Sequence, residues 1–298
     1  METQYANVNT LKVGVEEMSS LVWSRVEVDG RAVSHGTGGS GPQVLFLHGW
    51  GLGPSAYRAP LRRLAELGCR VAAPALPGFG RTPELPADER RFAGYAAWAA
   101  RYLDALESDD PIVVVGHSFG GGVAIQLAHD HPDRVRALVL CNAVGGPAWS
   151  GPTGARPMAH RHLWEWGRHF GADLLAPESA ARVLPTVLEA VVPNIFQHPL
   201  AVWRVGEFVR RADLLDELGV LADRGLPVTV VWADRDRIAP HAGFAALAQA
   251  ARTPGVTVPG QHNWMLAEPD RFAEVVQGAM AEAGVLDEAY AARFGAAG

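Results

Sequence analysis

The chain has 298 residues, of which 48% are hydrophobic and 19% charged, and its formal net charge is −6. This length suits one large domain, or one domain with an insertion, and the lack of a basic run argues against a nucleic-acid partner. No apolar run reaches the roughly 18 residues of a membrane-spanning helix, and the start of the chain lacks the basic and apolar blocks of a secretory signal. We therefore expect a cytoplasmic protein with no membrane partner.

The chain contains two cysteines, Cys69 and Cys141, and each lies beside an apolar, strand-like run. Such residues are typical of reduced, buried thiols in a cytosolic protein. Two cysteines alone do not make a zinc site, so no metal site is expected. The sequence leaves the oligomeric state open, and a homo-oligomer is compatible with it.

The first half of the chain alternates between strand-like and helix-like segments. A loose arm over residues 1–20 precedes two strands that meet at Asp29-Gly30, a dipeptide typical of hairpins. Apolar runs rich in β-branched residues indicate the further strands, and good helix formers at helical spacing lie between them. Strands are predicted at 21–28, 31–35, 43–47, 70–75, 112–115 and 136–141, and helices at 55–67, at 89–106 and from 123 onwards.

The alternation stops after Asn142 and resumes about 80 residues later. Residues 145–220 lack buried-strand runs, contain many aromatic residues and are typical of helices and loops. The later part of the chain is predicted to hold a strand at 227–232, a helix at 240–252, a short strand near Val256 and a helix at 270–283.

This order of elements predicts an α/β fold with a mostly parallel, doubly wound sheet that carries helices on both faces. Residues 1–144 and 221–298 are assigned to this core. Residues 145–220 are assigned to a helical cap, because a helical insertion between two strands of one sheet is typical of a lid.

Residues 116–120 read Gly-His-Ser-Phe-Gly, which matches the G-x-S-x-G pattern. The strand before this motif and the helix after it are the context that a nucleophile elbow requires. Ser118 would then lie at the carboxyl edge of the sheet and at the N-terminus of a helix, where backbone N–H groups can stabilise a developing negative charge.

A serine nucleophile needs a general base and an acid that orients the base. His262 lies in the loop before the last helix and is the best candidate for the base. Asp234 and Asp236 both follow the strand at 227–232, and their spacing alone does not choose between them.

The oxyanion of such a reaction needs two hydrogen-bond donors. One is expected to be the backbone N–H of Phe119, the residue after the nucleophile. The other is expected from the loop after the strand at 43–47, where residues 48–51 read His-Gly-Trp-Gly and Trp50 is the natural donor.

Together these motifs resemble the α/β-hydrolase family, in particular its serine hydrolases with a helical lid. The resemblance spans residues 22–284 and also includes Leu-Pro-Gly-Phe-Gly-Arg-Thr at 76–82. The acid loop of the family commonly reads Gly-x-x-Asp-x-x-x-Pro, which places the acid at Asp236, four residues before Pro240, with Ala233 in the glycine position. A serine at the nucleophile position disfavours the reactions of haloalkane dehalogenases and epoxide hydrolases.

The resemblance implies a hydrolase that cleaves an ester or related carbonyl substrate through a Ser118–His262–Asp236 triad, without a metal or organic cofactor. The aromatic residues of the cap suggest that this small-molecule substrate carries an apolar or aromatic group. Carbon–carbon bond hydrolysis of ring-fission products, a cofactor-free perhydrolase and a non-catalytic ligand-binding homologue stay open as alternatives. Residues expected to line the substrate pocket are His117, Trp164, Trp166, Trp203, Phe208 and Trp264.

Overall fold

The computed structural model describes residues 20–146, 148–151, 154–157, 168, 169, 171, 177–197, 199–286 and 290. The strands are β1 (Val22–Val28), β2 (Arg31–Gly38), β3 (Gln43–Leu47), β4 (Arg70–Pro74), β5 (Ile112–His117), β6 (Val135–Cys141), β7 (Ala148–Gly151), β8 (Gly154–Pro157), β9 (Val228–Ala233) and β10 (Val256–Val258). The α-helices are α1 (Arg58–Glu66), α2 (Phe92–Ala105), α3 (Phe119–Asp130), α4 (Pro177–Gln197), α5 (Pro199–Val209), α6 (Leu215–Asp223), α7 (His241–Ala250), α8 (Trp264–Ala267) and α9 (Pro269–Glu282).

Eight of these strands form one sheet in the order β1-β2-β4-β3-β5-β6-β9-β10. Strands β4, β3, β5, β6, β9 and β10 run parallel to one another, whereas β2 is antiparallel to both β1 and β4. Asp29 and Gly30 join β1 to β2 with positive φ values of 53° and 72°, as a type I′ hairpin turn requires. The predicted hairpin and the mostly parallel sheet are therefore confirmed.

The central strands are buried on both faces, which explains why they are continuous apolar runs and not alternating ones. In β3, Val44 and Phe46 belong to one apolar core, and Leu45 and Leu47 belong to the other. Helices α2, α3 and α6 contribute to the core that contains Leu45, and helices α1 and α9 contribute to the opposite core. The predicted doubly wound α/β architecture is confirmed.

The cap segment differs in two ways from its predicted form. Besides the helices α4 and α5 it contains the antiparallel strand pair β7–β8, whose short strands lack the long apolar runs that marked the central sheet. The expected boundary between residues 220 and 221 falls inside α6. Leu218 and Leu221 of this helix are buried in the core beside the sheet, so α6 packs as part of the body and not of the cap.

Both cysteines are buried, and burial raises the pKa of the Cys69 thiol to about 11 and that of Cys141 to about 12. Each is therefore protonated at neutral pH. Within the described ranges, no helix has the length and apolar character needed to cross a membrane.

Candidate active site

Ser118 lies between the end of β5 and the start of α3. Its backbone has φ 52° and ψ −114°, a conformation that costs a non-glycine residue on the order of 1–3 kcal/mol and persists only where neighbours hold it. Its N–H donates to the carbonyl of Cys141 at 3.0 Å, and its carbonyl accepts from the N–H of Gly121 at 3.0 Å and of Val144 at 3.1 Å. These bonds hold the strained turn in place.

The glycines on either side of Ser118 are required because backbone segments approach closely there. A Cβ atom on Gly116 would lie 2.5 Å from the carbonyl oxygen of Gly120, and a Cβ on Gly120 would lie 2.1 Å from that of Leu47. A side-chain rotation cannot relieve either contact, because both oxygens belong to the backbone. The strand, sharp turn and helix expected around Ser118 are all present.

Asp236 and His262 lie in the loops that follow β9 and β10, at the same sheet edge as Ser118. The Nδ1 atom of His262 is 2.8 Å from Oδ2 of Asp236, and the two side chains are only 5% and 0% exposed. The other carboxylate oxygen accepts the N–H groups of Ile238 at 2.7 Å and Ala239 at 2.9 Å. Because Nδ1 of His262 is hydrogen-bonded to Asp236, Nε2 is the ring nitrogen available to exchange a proton with Ser118.

Asn142 and Trp264 support Asp236 from behind. The Nδ2 atom of Asn142 donates to Oδ2 of Asp236 at 2.5 Å, and Oδ1 of Asn142 accepts from the indole of Trp264 at 2.9 Å. Asn142 directly follows β6. Its side chain connects the end of β6 to Asp236 in the loop after β9.

Asp234 has a different environment. Its side chain is 49% exposed and lies 3.7 Å from Arg235, and it accepts the N–H of Gly260 at 2.9 Å. It bridges the two loops that follow β9 and β10, and the hydrogen bond to His262 belongs to Asp236.

The two expected oxyanion donors lie near Ser118. Phe119 is the first residue of α3, so its N–H has no acceptor within the helix. Trp50 lines the same cavity as Ser118, and its indole donates to the carbonyl of Val202 in α5 at 2.7 Å. The role of the backbone N–H groups of Phe119 and Trp50 in binding an oxyanion stays a prediction.

A buried chain of hydrogen bonds connects the Trp50 loop to the His262 loop. The N–H of Gly49 donates to the Tyr57 hydroxyl at 3.2 Å, this hydroxyl is 2.7 Å from Nδ1 of His117, and Nε2 of His117 is 3.0 Å from the carbonyl of His262. Because a carbonyl only accepts, His117 carries its proton on Nε2. Burial lowers the pKa of His117 well below its usual value, so the ring stays neutral.

His48 connects the Trp50 loop to the loop after β4. Its Nδ1 atom donates to the carbonyl of Gly49 at 2.9 Å, and its Nε2 atom accepts the N–H of Leu76 at 2.9 Å. Burial lowers the pKa of His48 to about 4, so it is neutral at physiological pH. Two neutral histidines, His48 and His117, therefore help to hold this loop.

A cavity of about 170 Å³ opens in front of Ser118 and His262. Since a water molecule needs about 10–15 Å³, this space accommodates a substrate fragment of roughly ten non-hydrogen atoms. The aliphatic side chains that line the cavity come from the cap helices and from the loops at the edge of the sheet. The described lining residues are Gly49, Trp50, Gly51, Leu52, His117, Ser118, Val191, Ile195, Val202, Ile238, His262 and Asn263.

The expected pocket residues are placed differently. His117 lines the cavity, and Trp164 and Trp166 lie outside the described residues. The other three residues lie outside the described wall of this cavity. Trp203 is 58% exposed and borders a separate crevice together with Phe208, whose ring packs against that of Phe119. Trp264 is buried behind Asp236, where its indole holds Asn142.

The cap is attached to the Trp50 loop through Asn194 in α4. The Nδ2 atom of Asn194 donates to the carbonyls of Gly51 at 2.9 Å and Leu52 at 3.1 Å, and its Oδ1 atom accepts the N–H of Gly80 at 2.9 Å. The indole of Trp50 adds a second connection at Val202. The position of the cap is therefore coupled to the loop that carries an expected oxyanion donor.

Sequence reasoning missed four residues of this site: Tyr57, Asn142, Asn194 and Asn263. Asn142 and Asn263 had a usable signal, since the first directly follows a central strand and the second directly follows His262. Tyr57 and Asn194 had none, because their partners are distant in the chain. Among the described side chains, no group of three or more His, Cys, Asp or Glu residues is arranged to hold a metal ion.

The chain belongs to the alpha/beta hydrolase family, whose model matches residues 44–275. This match includes Ser118, Asp236 and His262 and six of the eight strands of the sheet. The resemblance inferred from the motifs is confirmed, and the chain is an enzyme of the hydrolase class.

Three relatives show the range of this similarity. A putative non-heme haloperoxidase of Mycobacterium phage D29 is 28% identical over 268 residues, covering 84% of this chain and 92% of the relative. A pimeloyl-[acyl-carrier protein] methyl ester esterase of Aromatoleum aromaticum is 44% identical over 99 residues, covering 33% of this chain and 36% of the relative. A 2-hydroxymuconate semialdehyde hydrolase of Pseudomonas sp. (strain CF600) is 41% identical over 111 residues, covering 36% of this chain and 38% of the relative.

Solved structures agree on the fold. A bacterial membrane phospholipase A superposes with a TM-score of 0.71 at 21% identity, covering 93% of this chain and 91% of that chain. At this identity the likeness concerns the fold alone.

Proposed function

We propose that the protein is a serine hydrolase that cleaves an ester or related carbonyl substrate with an apolar group, through a Ser118–His262–Asp236 triad. The observation that carries the proposal is the buried bond between His262 and Asp236, together with the cavity that Ser118 and His262 share. The aliphatic walls of this cavity support an apolar substrate group.

In the proposed reaction, Oγ of Ser118 attacks the substrate carbonyl carbon while Nε2 of His262 accepts the hydroxyl proton. The backbone N–H groups of Phe119 and Trp50 bind the oxyanion. His262 then returns the proton to the leaving alcohol, and an acyl-Ser118 ester remains. A water molecule attacks this ester with His262 as its base, and the acid and free Ser118 are released.

A fluorophosphonate probe tests the nucleophile. We expect one probe per chain, attached to Ser118, and a loss on the order of 10⁵–10⁶ in kcat for Ser118→Ala. Ser108→Ala is a matched control, because this buried serine bonds Gln43 at 2.9 Å and lies outside the cavity. Labelling that persists in Ser118→Ala would contradict the proposal.

The second candidate is hydrolysis of a carbon–carbon bond in a ring-fission product, which the similarity to the 2-hydroxymuconate semialdehyde hydrolase favours. Such dienoates carry a carboxylate, and the described cavity wall includes no Lys or Arg to pair with it. We therefore rank ester hydrolysis first. Turnover of a yellow dienoate at a higher kcat/KM than any ester in a panel would reverse this order. An assay for peracid formation from the same esters tests the perhydrolase alternative.

A further inference from the structure

Tyr57 connects the Trp50 loop to the His262 loop, although it is not among the described residues of the cavity wall. Its side chain is fully buried. Its hydroxyl oxygen lies 3.2 Å from the backbone nitrogen of Gly49 and 2.7 Å from Nδ1 of His117. Tyr57 therefore contacts this part of the site from behind the cavity wall.

The direction of these hydrogen bonds is fixed. Nε2 of His117 donates to the carbonyl of His262 at 3.0 Å, so Nδ1 carries a lone pair and can only accept. The hydroxyl of Tyr57 must donate to Nδ1, and its oxygen then accepts the N–H of Gly49. Burial raises the pKa of Tyr57 far above its usual value, so the hydroxyl keeps the proton that this arrangement needs.

Gly49 is held on both sides of its α-carbon. Tyr57 binds its N–H, and Nδ1 of His48 donates to its carbonyl at 2.9 Å. That carbonyl and the N–H of Trp50 belong to one trans peptide group, which is planar, so the two point in opposite directions. A Cβ atom on Gly49 would lie 2.8 Å from Nδ1 of His117, so the loop backbone rests directly on the Tyr57–His117 pair. The direction of the Trp50 N–H therefore depends on this pair.

The other end of this chain of hydrogen bonds holds the expected general base. The ring centroids of His117 and His262 are 4.9 Å apart, and the bond from His117 fixes the backbone carbonyl of His262. An oxyanion donor has to lie within about 2.7–3.1 Å of the developing charge, while the base has to reach the attacking hydroxyl and the leaving group. One chain of neutral hydrogen bonds therefore connects the two groups whose positions the reaction requires.

We propose that Tyr57 is a positioning residue for the transition state, which holds the Trp50 N–H and His262 at the spacing that attack by Ser118 requires. The proposal rests on the proposed function. Because Tyr57 lies behind the cavity wall, loss of its hydroxyl removes no group that contacts the substrate. The loss should therefore weaken interactions made only in the transition state, which lowers kcat and leaves KM unchanged.

Tyr57→Phe tests this role, because it removes only the hydroxyl oxygen. Removing an oxyanion donor outright costs about 10²–10³ in kcat, and a displaced donor should cost part of this. We therefore expect kcat for a butanoate ester to fall about 10- to 100-fold, with KM within about twofold of the wild type. A trifluoromethyl ketone that adds to Ser118 forms an oxyanion like that of the transition state, so its Ki should rise by the factor by which kcat/KM falls.

Tyr102→Phe is the matched control. Tyr102 is also fully buried, and its hydroxyl lies 2.9 Å from Nδ1 of His35, whose Nε2 is 2.8 Å from Oγ of Ser24. None of these three residues belongs to the described cavity wall. Both substitutions break a buried tyrosine–histidine bond and should lower the urea midpoint of unfolding similarly, but only Tyr57→Phe should change kcat and the Ki.

His117→Gln breaks the same bond from the other side. A glutamine amide reaches the position of Nε2, so it can still donate to the carbonyl of His262, but no group remains at the position of Nδ1 to accept from Tyr57. This variant should raise the Ki on its own and have no further effect in the Tyr57→Phe background, where the bond is already absent. If Tyr57→Phe does not fold, the Ki of His117→Gln decides, and an unchanged value rejects the role.

Full kcat in Tyr57→Phe, while the wild type labels at Ser118 and hydrolyses esters, would reject the positioning role and leave the proposed function intact. Equal losses of kcat in Tyr57→Phe and Tyr102→Phe would also reject it, since the effect would then follow stability alone. A higher KM with unchanged kcat would assign Tyr57 to substrate binding and overturn the proposal as well. If the wild type neither labels nor turns over an ester, the proposed function itself fails, and the role of Tyr57 fails with it.

Discussion

The two walls of the cavity are built in opposite ways. The sheet wall, formed by Ser118 and His262 with Asp236 buried behind His262, is polar and is fixed by hydrogen bonds from strand ends and neighbouring loops. The cap wall, formed by Val191, Ile195 and Val202, is aliphatic. Its helices are hydrogen-bonded to the Trp50 loop through the side chain of Asn194 and the carbonyl of Val202. The cap also exposes large apolar side chains on its outer surface, with Phe196 at 81%.

Because the two walls differ, substitutions in them should affect different properties of the enzyme. In the sheet wall a single substitution breaks several coupled bonds, so it should alter the rate of reaction strongly. In the cap wall a substitution changes the shape of an apolar surface, so it should alter the choice among substrates more than the rate on a small one.

The largest expected effect concerns Asp236. Asp236→Asn should lower kcat on the order of 10³–10⁴, because the wrong tautomer of His262 is stabilised. An amide nitrogen at the Oδ2 position would also face the donating Nδ2 of Asn142, so the free energy of unfolding should fall by about 1–3 kcal/mol. Steady-state kinetics and urea unfolding measure the two effects.

Asp234→Asn is the matched control in the same loop. It should keep kcat within about tenfold, because an exposed pair of this kind contributes only about 0–1 kcal/mol. If the two variants exchange ranks, Asp234 is the acid and the proposed triad is wrong.

The next effect concerns pH and the buried His48. Its pKa of about 4 in the folded protein lies below the ordinary value of 6.5, so the unfolded chain binds a proton that the folded chain does not. The stabilisation is complete above about pH 6.5 and is lost as pH falls towards 4, by about 3 kcal/mol. Urea unfolding of the wild type and of His48→Gln should give a steeper loss for the wild type over this range, and equal slopes would contradict the prediction.

A smaller effect is expected at Asn194. Asn194→Ala leaves two carbonyls and one N–H of the body without their partner, so the free energy of unfolding should fall by about 1–3 kcal/mol. Glu189→Ala on the same helix is the control, since its pair with Arg58 is exposed and contributes about 0–1 kcal/mol. If both variants unfold alike, Asn194 does not anchor the cap.

The smallest effect is a change in substrate preference. Ile195→Ala enlarges the cavity, so we expect the ratio of kcat/KM for hexanoate over acetate esters to change severalfold to tenfold, which is the lower end of the range of about 1–3 kcal/mol per methylene. Trp203→Ala removes a larger side chain outside the cavity and should leave this ratio unchanged. An equal shift in both variants would show that the cap acts through its overall stability.

The sheet wall was predictable from sequence because each of its parts has a local signature. An apolar run followed by Gly-His-Ser-Phe-Gly predicts the turn at Ser118, and the position of loops after parallel strands predicts where Asp236 and His262 meet. The order of paired strands then brings them to one edge.

The cap wall was not predictable in the same way. An aromatic residue in an amphipathic helix is expected to pack against another part of the protein, but the pattern does not identify which part. Trp203 and Phe208, which the sequence singled out, border a separate crevice, whereas the aliphatic Val191 and Ile195 line the cavity. Contacts such as Asn194 with Gly51 depend on how α4 lies across the body, which no local pattern encodes.

The position of the cap between two paired strands has a consequence for chain entropy. Leu138 in β6 pairs with Val228 in β9, 90 positions further along the chain. The entropy of closing such a loop grows only with the logarithm of its length, so doubling the insertion would cost about 0.6 kcal/mol. The inserted segment can therefore lengthen, shorten or be exchanged at little cost to folding, while the strand pairing beneath it keeps Ser118, Asp236 and His262 together.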